Sequence, residues 1–212
     1  MSFPEFVVKH RVEIMTLSLE HFRLVLWSMM FSLLIGIPLG VLLSKRRGLR
    51  AVVLGTTSVI QTIPSLALFG LLLPLPWLGV RADRLTITAL TLYALLPIVR
   101  NTYTGISGVD PSVLEVAIGM GLTERQILWH VQFPLASPVI LGGVRVATVI
   151  TIGAATIAAA IGAGGLGEFI FRGLAMVDNN VILAGAIPAA LMALVADGAI
   201  GVLQRASRAR RR

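Results

Sequence analysis

The sequence contains no cysteine, which excludes disulfides, zinc–thiolate sites and thiol nucleophiles. Charge is scarce: Asp, Glu, Lys and Arg make up only 13% of the 212 residues. A water-soluble domain of this length needs a charged shell that this composition cannot supply. Aromatic residues amount to 6%, and they form no evident cage. His10, His21 and His130 share no metal-ligand spacing, so no metal site is expected. The chain has no Ser/His/Asp set and no paired carboxylates. It also has no Gly-x-x-x-x-Gly-Lys-[Ser/Thr] phosphate loop. Gly162-Ala163-Gly164-Gly165-Leu166-Gly167 comes nearest, but it lacks the lysine and reads as a tight turn. No catalytic residue is assigned, no cofactor is expected on this chain, and an enzyme reading has nothing to stand on.

What the chain does have is apolar length. It is 56% hydrophobic, with a mean hydropathy of +0.89. A spanning helix needs about 20 apolar residues, and five stretches approach that length. They cover about 22–43, 51–79, 85–106, 138–161 and 181–203. The fold class expected is an all-α membrane protein, a bundle of five transmembrane helices. The second stretch is interrupted by Pro64, Pro74 and Pro76. The third is strictly apolar only between Arg84 and Arg100, roughly 22 Å of helix. Either those arginines snorkel or the helix runs on past Arg100.

The net charge is +8. In a soluble protein that would suggest nucleic acid, but here the basic residues sit at the ends of apolar runs, where they specify topology. With the N-terminus outside, the inner side receives Lys45, Arg46, Arg47, Arg50, Arg100, Arg125 and the five tail arginines. The outer side receives Lys9, Arg11, Arg23, Arg81, Arg84 and Arg172. The bias of 11 to 6 favours N-out, C-in. The mixed charges up to Arg23 do not form a cleaved signal, and residues 5–20 read as a partly amphipathic segment on the membrane surface. The expected organisation is an interfacial segment over 1–21, a transmembrane domain over 22–203 with a cytoplasmic loop over 107–137, and a basic tail over 204–212.

Small residues recur at four-residue spacing within spans: Gly36 and Gly40, Gly143 and Ala147, Ala154 and Ala158, Gly185 and Ala189. They point to close helix packing. Arg145 and Asp197 lie within spans, where ionisable groups are functional candidates. Each is near the inner end of its helix, so an ion pair and snorkelling both remain open. Glu168 and Asp178 flank the outer loop as surface charges or as contacts for a docking protein.

The long loop has local order. Asp110 and Pro111 suit the cap and first position of a helix, which Gly119 and Gly121 end. Thr123 and Gln126 stand at capping-box spacing, and Pro134 stops the second limb. The expected product is a helix, a glycine elbow and a second helix. Such a unit either packs on the bundle ends or seats in a partner's groove and passes on its movement.

These residues resemble a known family. Glu115-Val116-Ala117, then Gly121, then Val131-Gln132-Phe133-Pro134 is similar to the "EAA" loop of type I ABC importer permeases: Glu-Ala-Ala, three residues, Gly, nine residues, Ile-x-Leu-Pro. Val116, Val131 and Phe133 depart from that pattern but stay apolar. The resemblance implies that Glu115, Ala117, Gly121, Val131, Phe133 and Pro134 belong to a coupling element. That element would dock on a separate ABC ATPase subunit, which binds ATP and magnesium. Two permease chains and two ATPases would assemble, with an extracytoplasmic solute-binding protein, in a bacterial inner membrane.

Four further segments resemble the osmoprotectant branch, which imports glycine betaine, choline, carnitine and related quaternary amines. They are Gln61 to Ala67, Pro97 to Gly105, Gly119-Met120-Gly121, and Gly162 to Gly167 with Arg172-Gly173. Methionine and other amino-acid importers share the loop but resemble this chain less in these segments. A channel or secondary transporter working without ATP is a reading from another class, and the loop spacing argues against it.

Gln61, Thr62, Pro64 and Ser65 are the candidate translocation path. Pro64 removes a backbone donor, and irregular backbone at depth is tolerated where it is buried in protein or lines a wet cavity. A quaternary amine, which cannot donate hydrogen bonds, suits freed carbonyls and aromatic faces. A packing kink re-satisfied by neighbouring side chains is the other reading.

Overall fold

The computed structural model describes residues 2–79 and 81–209. Every regular element among them is helical. Of the expected basic tail, Arg210, Arg211 and Arg212 lie outside the described residues, as do the side chains of Arg47 and Arg208.

Helix α1 (Phe3–Lys9) ends at His10, and α2 (Arg11–Lys45) follows at once. The first apolar stretch therefore begins no new helix at residue 22. No proline or glycine interrupts 11–35, so the charged segment and the span form one rod. At ~1.5 Å per residue it is about 52 Å long, against a hydrocarbon core of ~30 Å. Phe6 of α1 packs edge-on to Phe169, which ties the N-terminus to the far side of the bundle.

Helix α5 (Ala82–Ser107) is the hub, packed by α2 on one side and α8 (Phe133–Ile157) on another. It runs seven residues past Arg100, so the helix does extend beyond that arginine. Close approach explains the small residues. A Cβ on Gly40 would stand 2.5 Å from Thr102 Cβ, and one on Gly143 would stand 2.6 Å from the Pro97 carbonyl. Hydroxyls add interhelical bonds where apolar contact alone supplies little net attraction in lipid. Thr91 donates to the Ser28 carbonyl at 3.3 Å, and Ser32 to the Thr91 carbonyl at 3.2 Å.

The second apolar stretch is not one straight crossing. Helix α3 (Arg47–Thr62) and α4 (Ser65–Leu72) meet at Ile63-Pro64 with a bend of 103°. Among the described residues, four unbroken helices are long and apolar enough to cross a membrane, and the bent pair makes a fifth if it counts as one span.

After α6 (Pro111–Gly119) and the single turn α7 (Glu124–Gln126), a π-helical segment at Ile127–Gln132 leads without a break into α8. Pro134 therefore does not stop the second limb, and Pro138 lies inside α8 rather than before it. The wide turn explains this. The Phe133 N–H reaches back five residues to the Leu128 carbonyl, a shifted register that admits the following proline. The Pro134 carbonyl, which Pro138 cannot serve, accepts the Ser137 hydroxyl at 2.8 Å.

Helix α8 tightens into a 3₁₀ turn at Ala158–Ile161 and ends on Gly162. The glycine-rich stretch 162–173, expected as a loop between spans, is helical from Gly167 on, where α9 covers Gly167–Met176. Gly167 allows the approach: a Cβ there would fall 1.9 Å from the Thr156 carbonyl. Asp178 caps α10 (Asn179–Ala209), accepting the Asn180 N–H at 2.8 Å. The bundle thus has one end carrying α1, α9 and the glycine turn, and an opposite end carrying α6, α7 and the π segment.

Candidate functional site

The helical elbow is built from local caps. Asp110 accepts the Ser112 N–H at 2.9 Å and its hydroxyl at 2.8 Å. These donors hold the Asp110 carboxyl below the usual aspartate range. At the other end of α6, Gly121 has φ +78°. Gly121 N–H bonds the Ile118 carbonyl and Leu122 N–H the Ala117 carbonyl, which closes a Schellman cap. Thr123 and Gln126 cap α7 reciprocally, with Thr123 N–H to Gln126 Oε1 at 2.8 Å.

The elbow faces two ways. Ala117, 2% exposed, turns inward. Outward stand Val116 at 62%, Met120 at 69% and Trp129 at 55% exposed, with Glu115 beside them. Exposed apolar side chains on a projecting unit suit an interaction surface. Glu115, Ala117 and Gly121 lie on the first limb, and Val131, Phe133 and Pro134 on the π segment and the start of α8. Phe133 packs against the Ile106, Ala136 and Ile140 cluster, which fixes the second limb to α5 and α8. Lys45 at the end of α2 reaches Glu124 at 3.1 Å. Behind the elbow lies a cavity of about 700 Å³, bounded by Leu43, Tyr103, Leu114, Ile118 and Ile127.

The break at Pro64 lies deeper. Pro64 denies the Ile60 carbonyl its helical donor, and that carbonyl takes the Ile63 N–H at 3.3 Å instead. The Ile63 carbonyl accepts the Tyr93 hydroxyl. Gln61 donates to the Tyr93 carbonyl at 3.5 Å. Thr62 is exposed and bonded within its own turn, to the Val59 carbonyl. Ser65 is partly buried at the first position of α4. The structure thus brings Gln61 and the Pro64 break together on α5 and leaves Thr62 pointing away. Tyr93 was missed in the sequence: it lies thirty residues from the break, and no local pattern marks it.

Arg145 and Asp197 form a two-pronged ion pair between α8 and α10, so the pair prevails over snorkelling. Their side chains are 40% and 33% exposed in a groove of about 450 Å³. Gln204 donates to the Pro138 carbonyl at 2.7 Å, and Ser137 meets Ser207. Together these contacts make a polar seam along the half of α8–α10 nearer the elbow. At the opposite end Asp178 serves as a helix cap, and Glu168 opens α9.

Residues 32–210 match the family described as the binding-protein-dependent transport system inner membrane component. The chain belongs to that family. This inner-membrane permease is 46% identical over 188 residues to the glycine betaine/carnitine/choline transport system permease protein OpuCD of Bacillus subtilis (strain 168), covering 88% of this chain and 81% of that one. It is 39% identical over 201 residues to the choline transport system permease protein OpuBB of the same organism, covering 95% and 91%. In fold, the permease is similar to a chain of the MetNI methionine ABC transporter in an inward-facing conformation. The TM-score is 0.79 at 23% identity, over 89% of this chain and 93% of that chain.

Proposed function

We propose that this permease carries a quaternary-amine osmoprotectant, of the glycine betaine, choline or carnitine type, through an ATP-driven importer. The bent pair α3–α4 counts as one crossing, giving five spans with the N-terminus outside and the elbow in the cytoplasm. The elbow seats in a separate ATPase subunit, which binds ATP and magnesium. One ATPase serves each of two paired permease chains, and an extracytoplasmic protein delivers the solute. The transmembrane domain is taken as 22–203, with 1–21 as an outer flank and 204–212 as a basic tail.

One observation carries the reading: an apolar face on a doubly capped elbow, rigidly continued into a spanning helix. A surface loop that merely packed on the bundle would turn Val116 and Met120 inward, whereas they are exposed. The solute class is supported by relatives at 39–46% identity whose names specify choline, carnitine and glycine betaine. Methionine is favoured only by a fold likeness at 23% identity. Gln61, the Pro64 break and Ser65 are proposed to border the path, with Tyr93 holding the break in this state.

The test is co-purification with an ABC ATPase subunit from the same cell, followed by uptake of labelled choline and glycine betaine into proteoliposomes. Nucleotide-dependent uptake of either solute supports the proposal. Uptake by the permease alone without ATP, or uptake of methionine instead, overturns it.

A further inference from the structure

The groove between α3 and α5 holds two guanidiniums, and its Arg50 and Tyr103 also border the cavity behind the elbow. The two helices run antiparallel in a fixed register. The Arg50 guanidinium lies 4.6 Å from the Tyr103 ring centroid, and about three turns further along α3, Gln61 meets Tyr93. Between these two contacts opens a cavity of about 330 Å³. Its polar lining includes Arg50, Arg100, Ser58 and Thr104, its apolar lining includes Leu54 and Leu96, and no acidic side chain borders it. The α3 wall is open at Gly55, where a Cβ would meet nothing within 4 Å.

Four cations elsewhere in the chain have an acidic partner. Lys45 has Glu124, Arg81 has Asp83, Arg145 has Asp197 and Arg172 has Glu13. Among the described residues Arg50 and Arg100 form no ion pair, and both are exposed. Arg50 stands one turn into α3, and Arg100 about 10 Å before the end of α5. If α3 and α5 cross the membrane as proposed above, both lie near the boundary of the hydrocarbon, where an uncompensated guanidinium is costly. A guanidinium pairs a phosphate with two parallel hydrogen bonds, and basic pockets between spanning helices suit anionic headgroups.

We infer that this groove is a binding site for an anionic phospholipid, with its phosphate between Arg50 and Arg100 and its acyl chain along Leu54 and Leu96. The leaflet is the inner one, a point that rests on the orientation proposed above. Chain-lined grooves that open from charge to hydrocarbon match a lipid better than a soluble anion, which would have no use for the leucines.

The experiment is native mass spectrometry of the full chain, purified in detergent and mixed with equal amounts of phosphatidylglycerol and phosphatidylcholine. The wild-type chain retains phosphatidylglycerol preferentially. Arg50→Gln/Arg100→Gln lowers that retention by about fivefold per arginine removed, while Arg205→Gln, far from the groove, changes it less. Arg50→Lys/Arg100→Lys recovers part of it. No lipid preference in the wild type overturns the inference and needs no variant to fold. So does displacement of the lipid by inorganic phosphate alone, which would indicate a soluble-anion site. A Ser58→Cys crosslink to a second permease chain or to the ATPase would show the groove covered by protein and would also overturn it. If accessibility labelling places the elbow outside the cell while lipid retention persists, the orientation fails and the site itself stands.

Discussion

Tyr93 donates its phenolic hydroxyl to the carbonyl of Ile63, the residue immediately before Pro64. One side chain on the central helix thus supplies the hydrogen bond that the broken span needs. Tyr93→Phe leaves that carbonyl without its donor, at a cost of about 1–3 kcal/mol if water cannot reach it. The expected outcome is a lower thermal midpoint for the detergent-purified permease, with Gln61→Leu having a smaller effect. An unchanged midpoint in Tyr93→Phe would show that the bend is held by packing alone.

Gly121 has positive φ at the elbow, a conformation that disfavours a side chain. Gly121→Val strains the Schellman cap and swings α6 away from α7, and Gly121→Pro removes the N–H that bonds Ile118. Membrane insertion should survive in both variants, while uptake falls at least tenfold. ATP hydrolysis should continue without transport. Charge reversal at Glu115, on the same exposed face, should weaken co-purification of the ATPase. Full coupling in all three variants would exclude the elbow as the docking unit.

Arg145 and Asp197 neutralise one another within a span. Removing one partner leaves a lone charge at depth, whereas removing both leaves none. Arg145→Met and Asp197→Leu should each reduce the yield of folded protein, and the double variant should recover part of the loss. Strict additivity of the two losses, measured by gel-filtration yield, would show that the pair is not energetically coupled.

Asp110 gives the elbow a sensitivity to acid. Its carboxyl titrates below the usual aspartate value of 3.8 because Ser112 donates to the ionised form. A lowered folded-state value means that the cap contributes fully above about pH 4. The contribution fades as acid protonates the carboxyl. Asp110→Asn keeps a capping side chain but should remove this part of the pH dependence, read by limited proteolysis of the 107–137 loop between pH 3 and 6.

Because the chain has no cysteine, single cysteines report sidedness cleanly. Ser112→Cys should be protected from an impermeant thiol reagent in whole cells and labelled after lysis. Glu168→Cys should be labelled from outside. The opposite pattern would reverse the orientation and detach the elbow from any cytoplasmic ATPase.

The elbow was legible in the sequence because caps are local. Asp110, Pro111, Gly121, Thr123 and Gln126 each act within about four residues of themselves. Pro64 announced a break, but neither its 103° bend nor its dependence on Tyr93 follows from nearby residues. Pro134 misled for the opposite reason. Its local meaning is to end a helix, and the π turn before it suspends that rule through a backbone register that side chains do not advertise. The mixed charges of residues 5–20 suggested a surface segment, although no residue from 11 on breaks a helix there, and α2 passes straight through into the span. Glycine density at 162–173 hid α9, in which Gly167 serves helix–helix approach more than flexibility.

The wide turn at Ile127–Gln132 has a last consequence. It sits where the projecting elbow becomes a membrane-crossing rod, and it holds one more residue than a regular turn requires. A hinge would dissipate a displacement at that joint. If the elbow docks as proposed, a continuous helix with a surplus residue would instead pass the displacement on as torque, turning the groove-lining side chains of α8 about the helix axis.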